Sequence, residues 1–93
     1  MQIAKVMGVV VSTVKTEQLE GSKMLLVKNA DQTGKVSGQP YIALDVVGAG
    51  EEELVMVVQG STARAIANKP VDAVIVCILD SLRYDNQLTF KKS

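Results

Sequence analysis

The sequence predicts an all-β fold: a small five-stranded β-barrel with one short helix between strands 4 and 5. Three observations predict it. Short runs rich in Val, Ile and Leu recur along the chain, separated by turns that carry Gly, Asn or Asp. Only one segment, Ser61 to Ala67, has the Ala-rich composition of a helix. The 93 residues suffice for one domain, and a domain of this size is marginal as a lone copy.

The elements follow in order. Gln2 to Val14 favours a pleated strand through its Val, Ile and Thr, and Gly8 inside it signals a bulge or bend. Lys15 to Ser22 is polar and reads as a loop. Lys23 to Lys28 is the second strand. Asn29 to Gln39 holds Asp31, Gly34 and Gly38 and reads as turn or loop. Pro40 opens the third strand, Tyr41 to Val47, which Gly48-Ala49-Gly50 breaks. Leu54 to Gln59 is the fourth. Ser61 is placed to cap the helix, and Asn68 and Pro70 limit it to about two turns. Val71 to Asp80 is the fifth strand. Asp85-Asn86 reads as a tight turn, and Leu88 to Lys91 as a short final strand. The barrel domain is expected over residues 1–85, with 86–93 a C-terminal tail or short extra strand.

The strands carry the main physical clue. A strand with one wet face alternates apolar and polar residues. Ala73 to Leu79 is apolar throughout, and Met24 to Val27 and Leu54 to Val58 behave alike. Such runs are normally covered on both faces. One short helix cannot cover the outside of a barrel, so the missing cover is expected from other copies of the chain.

Composition narrows the function. Hydrophobic residues make up 47% of the chain, yet the aromatics are only Tyr41, Tyr84 and Phe90, so the core must be aliphatic. Ten basic residues balance ten acidic ones, which removes any general attraction to nucleic acid or anionic lipid. Cys77 is the one cysteine and histidine is absent. An internal disulfide, a Cys/His zinc site and a Ser-His-Asp triad on Ser61 or Ser81 are therefore excluded. The apolar run Val6 to Val11 is too short for a secretory core, and no run nears the ~20 residues of a membrane span. The chain reads as soluble and cytoplasmic.

Candidate motifs fare poorly as chemistry. Gly48-Ala49-Gly50 lacks the third glycine of a dinucleotide loop, and Glu51-Glu52-Glu53 would repel a phosphate. Those three glutamates would point to alternate faces and read as a solvated loop, not a cation site. Cys77 reads as a buried, inert hydrophobe. Asp45 and Asp80 read as ligands of loop backbone in preference to an acid–base pair. Arg64 is open to two readings, a solvated arginine or a partner for a carboxylate across an interface.

A five-stranded barrel with a helix between strands resembles the OB-fold, whose members bind single-stranded nucleic acid or oligosaccharide. That use needs a basic groove and aromatic platforms, which this composition lacks. A nucleic-acid-binding OB module is therefore the alternative.

Three ordered segments carry a further resemblance. They are Met1-Gln2-Ile3-Ala4-Lys5-Val6-Met7-Gly8-Val9-Val10-Val11-Ser12-Thr13 with Leu19-Glu20-Gly21 and Lys23 to Val27; Asp45-Val46-Val47-Gly48-Ala49-Gly50 with Leu54 to Val57 and Gly60-Ser61-Thr62-Ala63-Arg64; and Pro70-Val71-Asp72-Ala73 through to Ile78-Leu79-Asp80. The chain resembles the EutN/CcmL family, the pentameric vertex proteins of bacterial microcompartment shells. The resemblance covers about residues 1–85. It implies an OB-like barrel and a closed homopentamer, with a hexamer as the alternative ring, whose partners are hexameric shell proteins. It implies no enzymatic activity, cofactor, metal, nucleic acid or membrane. A sheet of hexagonal tiles closes only where five-fold units add curvature, and head-to-tail contacts close such a ring. Carried over by position, Gly48, Ala49, Gly50, Gly60, Ser61, Thr62 and Arg64 are expected at subunit contacts. Three features depart from the family: Cys77 stands where glycine is frequent, the Glu51-Glu52-Glu53 run is unusually acidic, and the tail from Arg83 to Ser93 matches less clearly.

Overall fold

The computed structural model describes residues 1–13 and 16–92. Its strands are β1 (Gln2–Val9), β2 (Lys23–Asn29), β3 (Tyr41–Asp45), β4 (Leu54–Gln59), β5 (Ala73–Ile78), β6 (Ser81–Tyr84) and β7 (Gln87–Lys91). One α-helix, α1 (Ser61–Ala67), lies between β4 and β5, and Glu17–Leu19 form a 3₁₀ turn. The first five strands close into a barrel in the order β1-β2-β3-β5-β4, with β1 pairing back onto β4. All neighbours are antiparallel except β3 and β5, which run parallel. A parallel pair needs a long crossover. The chain makes it with β4 and α1, so the helix comes to rest on the outside of the barrel.

The interior is aliphatic, as composition required. Ala4, Val6, Leu25, Val27, Ala43, Ala49, Val55, Val57, Ala73 and Ile75 form one buried cluster. Small side chains suit a barrel this narrow, because facing strands leave little room between them. Tyr41 closes one edge and donates its hydroxyl to Asn29 Oδ1 at 2.7 Å. Burial raises the Tyr41 pKa above its ordinary value.

A second cluster explains part of the two-faced strands. Leu44, Val58 and Val74 point outward and are sealed by Ala63 of α1. Ala63 is wholly buried, and its small side chain lets the helix lie close to the sheet. The expectation that other copies must supply the missing cover is thereby narrowed. α1 supplies it over β3, β5 and β4, and what remains bare lies elsewhere on the barrel.

Several boundaries differ from expectation. β1 ends at Val9; the expected end at Val14 lies outside the described residues. A register shift between Val6 and Gly8 is the bulge that Gly8 signalled. β3 ends at Asp45, not Val47, because the Asp45 carboxylate captures the backbone N–H groups that follow. β5 spans Ala73–Ile78, shorter than Val71 to Asp80. The helix has the expected span, but its N-cap is Gly60 and not Ser61. Gly60 has φ 75° and ψ −149°, a conformation open essentially to glycine alone, and no side chain caps the helix. Cys77 is half-buried and not enclosed, because α1 does not reach its part of the outer face.

The C-terminal end holds one strand that sequence patterning did not anticipate. β6 pairs with β7 around Asp85 (φ 54°) and Asn86 (φ 63°), the two left-handed residues of a tight hairpin. Phe90 and Leu54 both lie against Gly34, Thr89 Oγ1 donates to the Gln32 carbonyl at 2.7 Å, and Lys92 pairs with Glu53. These contacts fasten the hairpin to the barrel. Truncating Leu25, 1% exposed within the barrel, tests the core. Leu25→Ala is expected to cost about 2–5 kcal/mol, read as a lower midpoint in urea unfolding.

Candidate functional site

The first expected contact segment is the loop that follows β3. Asp45, 9% exposed, organises it. Its Oδ1 accepts the N–H groups of Val47 and Gly48 at 3.1 Å each, and its Oδ2 accepts that of Ala49 at 3.0 Å. Lys23 Nζ lies 3.5 Å from Oδ2 and donates to the Ala49 carbonyl at 3.2 Å. Asp45 is thus a ligand of loop backbone, as its place at a strand end suggested. Asp80 stands beyond the end of β5, whereas Asp45 pairs with Ile75 inside it, so the two carboxylates are not brought together.

The three central residues of this loop divide. Gly48 and Gly50 are exposed, while Ala49 is 1% exposed and belongs to the barrel core. The Ala49 side chain is thus packed within its own barrel, between two exposed glycines. Gly50 donates its N–H to Glu53 Oε1 at 2.6 Å. The glutamates disperse, but through a turn that puts Glu52 at φ 73° and not through the alternation of a strand. Glu51 is exposed, Glu52 pairs with Lys5 at 3.0 Å, and Glu53 reaches Gly50 and Lys92. The hydrogen bond from Lys92, then that from Gly50, holds the Glu53 carboxyl below its ordinary value of 4.5. Glu53 in turn raises Lys92 above its ordinary 10.5.

The second segment begins at Gly60. Ser61, Thr62 and Arg64 are exposed on α1, and Ala63 is turned inward. The Arg64 guanidinium makes no hydrogen bond or ion pair to any described side chain, so it is a cation free to meet a carboxylate from outside. The two segments are not neighbours. They lie at opposite ends of the six-residue β4, about 20 Å apart by strand rise. A shallow groove of 390 Å³ beside Gly60 is lined by Tyr41, Ile42, Gln59, Asp72 and Ala73.

Residue-by-residue reading missed the exposed apolar positions. Ile42 is 49% exposed, Val46 54%, Val47 38% and Met7 38%. None of them lies in the apolar runs Met24 to Val27, Leu54 to Val58 or Ala73 to Leu79, and patterning along the chain does not say which apolar residues stay bare.

The fold defines a class first: a small closed β-barrel with one short helix packed on its outer face. The chain belongs to the EutN/CcmL family; the model described as "Ethanolamine utilisation protein EutN/carboxysome" matches residues 1–80. The carboxysome shell vertex protein CcmL of Synechococcus elongatus is 40% identical over 95 residues, covering 99% of this chain and 96% of the relative. The solved CcmL of Nostoc sp. superposes with a TM-score of 0.90 at 43% identity, covering 99% of this chain and all of that one. The solved GrpN pentameric microcompartment shell protein of Rhodospirillum rubrum gives a TM-score of 0.83 at 39% identity, covering 90% and 99%.

Two predictions follow from the loop chemistry. Asp45→Ala strands three backbone N–H groups and is expected to cost about 2–4 kcal/mol in urea unfolding. For the hairpin, Glu53 contributes stability present above the ordinary carboxylate range and lost as pH falls through its lowered value. Lys92 contributes stability present below its ordinary value and lost as pH rises through its raised one. The attachment is tightest between these limits. The Phe90 ring resonances are expected to move as acidification takes Glu53 through its lowered value and to show no such step in Glu53→Gln.

Proposed function

We propose that this chain is a structural subunit that closes into a ring of five and caps vertices of a bacterial microcompartment shell. The observation that carries the reading is the close match, over most of the chain, to a solved relative described as pentameric. The curated relatives are shell vertex proteins, from carboxysomes and from other microcompartments. The role follows from geometry: five-fold units supply the curvature that hexagonal tiles lack, and the ring does so through shape, with no bond made or broken. The partners are further copies of the chain and the hexameric shell proteins that tile the facets. The place of action is the shell, within the cytoplasm.

Ring contacts are proposed at Gly48 and Gly50 on one side and at Gly60, Ser61, Thr62 and Arg64 on the other. Their separation along β4 supports this reading, because a head-to-tail contact joins two different patches of each subunit. Arg64, exposed and unpaired among the described residues, supports it too. The nucleic-acid alternative draws no support from the relatives, and the charge balance opposes it.

Native mass spectrometry tests the ring. The expected species has five times the mass of the 9.9 kDa chain, and a stable monomer at micromolar concentration would overturn the reading. Gly50→Trp places bulk at a close approach and is expected to shift the population toward monomer; an unchanged ring would remove this loop from the interface.

A further inference from the structure

Gly8 stands at the bulge of β1, but neither its φ nor its described neighbours require a glycine there. Five of the seven glycines have φ between 75° and 90°, which accounts for them through their own backbone. Gly50 lies 3.4 Å, by an added Cβ, from the Glu53 carboxylate it bonds. Gly8 has neither reason: its φ lies outside the left-handed region, and an added Cβ would meet nothing within 4 Å. A glycine inside a strand is costly; it marks a bulge, as here, or the close approach of another backbone or ligand, and a bulge outside the left-handed region admits other residues. Space for a side chain is free in the isolated subunit, so what needs the notch comes from outside.

The surroundings of the notch are apolar. Gly8 pairs with Leu26, and Leu26 pairs with Ile42, in one row across β1, β2 and β3. Leu25, Val27 and Ala43 on these strands face the core, so this row faces out. Met7, the extra residue of the bulge, is exposed beside it. Among the described residues, the cluster sealed by α1 is Leu44, Val58 and Val74 with Met24, Val71 and Val76 packed against it, the hairpin reaches Gln32, Gly34 and Glu53, and no residue of the row is in either set.

A second outward row lies across β1, β4 and β5. Ile3 pairs with Met56 and Met56 with Cys77, and all three are half-buried. Ala4 and Val55, the next residues of their strands, are wholly buried, which fixes the outward direction of this row. The subunit thus carries two apolar rows that differ in shape, one notched and one with projecting side chains. A two-fold dimer needs a single self-complementary patch, whereas a head-to-tail ring needs two different patches that fit each other.

We propose that the notched face at Gly8, Leu26 and Ile42 of one copy receives the Ile3–Met56–Cys77 row of the next. This rests on the ring proposed above and names the sheet faces that close it. A side chain at Gly8 fills the notch and holds the neighbour off.

The full chain is compared with Gly8→Leu and with Ile42→Lys by native mass spectrometry, by far-ultraviolet circular dichroism and by the rate at which Cys77 reacts with Ellman's reagent. Ile42 is a surface position, so its variant keeps the test decisive if Gly8→Leu does not fold. Both variants are expected to keep the barrel spectrum, to need about tenfold or more higher concentration to assemble, and to react faster at Cys77 than the ring does. A ring of normal mass in both variants overturns the proposal and assigns the face to another partner. So does a Cys77 that reacts as fast in the ring as in dissociated subunits. In either result the ring itself stands. A monomeric unsubstituted chain overturns both the ring and this contact.

Discussion

β1 is hydrogen-bonded along both of its edges, to β2 on one side and to β4 on the other, and this double pairing closes the barrel. The ladder continues past β4, where Val6 donates to the Glu53 carbonyl at 3.0 Å and Glu52 donates to the Val6 carbonyl at 2.9 Å. Closure removes the free edges that an open five-stranded sheet would present to other chains. It also fixes register, since a one-residue slip would turn Ala4 and Val6 out and Ile3 and Lys5 in. The aliphatic interior is a consequence. A barrel of this girth has room for alanine, valine and a few larger branched chains, and the only aromatic at its interior is Tyr41 at the rim.

What lies outside the barrel depends on that closure. The parallel β3–β5 pair forces a crossover, and the crossover carries α1 onto the outward side chains of Leu44, Val58 and Val74. The β3–β4 connection is held by one carboxylate that spans three N–H groups. The hairpin is held by Phe90, Thr89 and the Glu53–Lys92 pair. Each device makes a loop or an arm rigid with respect to the barrel. A ring of fixed symmetry needs this, because a small error in the angle of one contact is repeated at every subunit and prevents closure.

Residue patterning made the central elements legible. The spans of β4 and α1 are those the sequence predicts, and β2 and the Asp85-Asn86 turn agree closely. Where the pattern failed, a long-range partner decided. Ser81–Tyr84 has little strand character, and its extended form comes from pairing with β7. Asp45 ends β3 early because its own side chain competes for the backbone that follows. Gly60 in place of Ser61 at the helix cap reflects a turn too sharp for a side chain, a requirement invisible until β4 and α1 are placed. Ala49 sits between two exposed glycines yet faces the core, so a run of small residues could not reveal which of them remain free.

The sequence by itself determined the class of fold, the aliphatic core and the surplus of apolar strand surface, because these depend on composition and on periodicity along the chain. Only the tertiary structure decided how that surplus is shared. Inward and outward sides are set by register, and cover is set by a crossover and a hairpin that join residues distant in sequence. That is why Val74 is sealed by the chain's own helix while Ile42 stays half exposed, and why a Cβ added at Gly8 would meet none of the described residues within 4 Å.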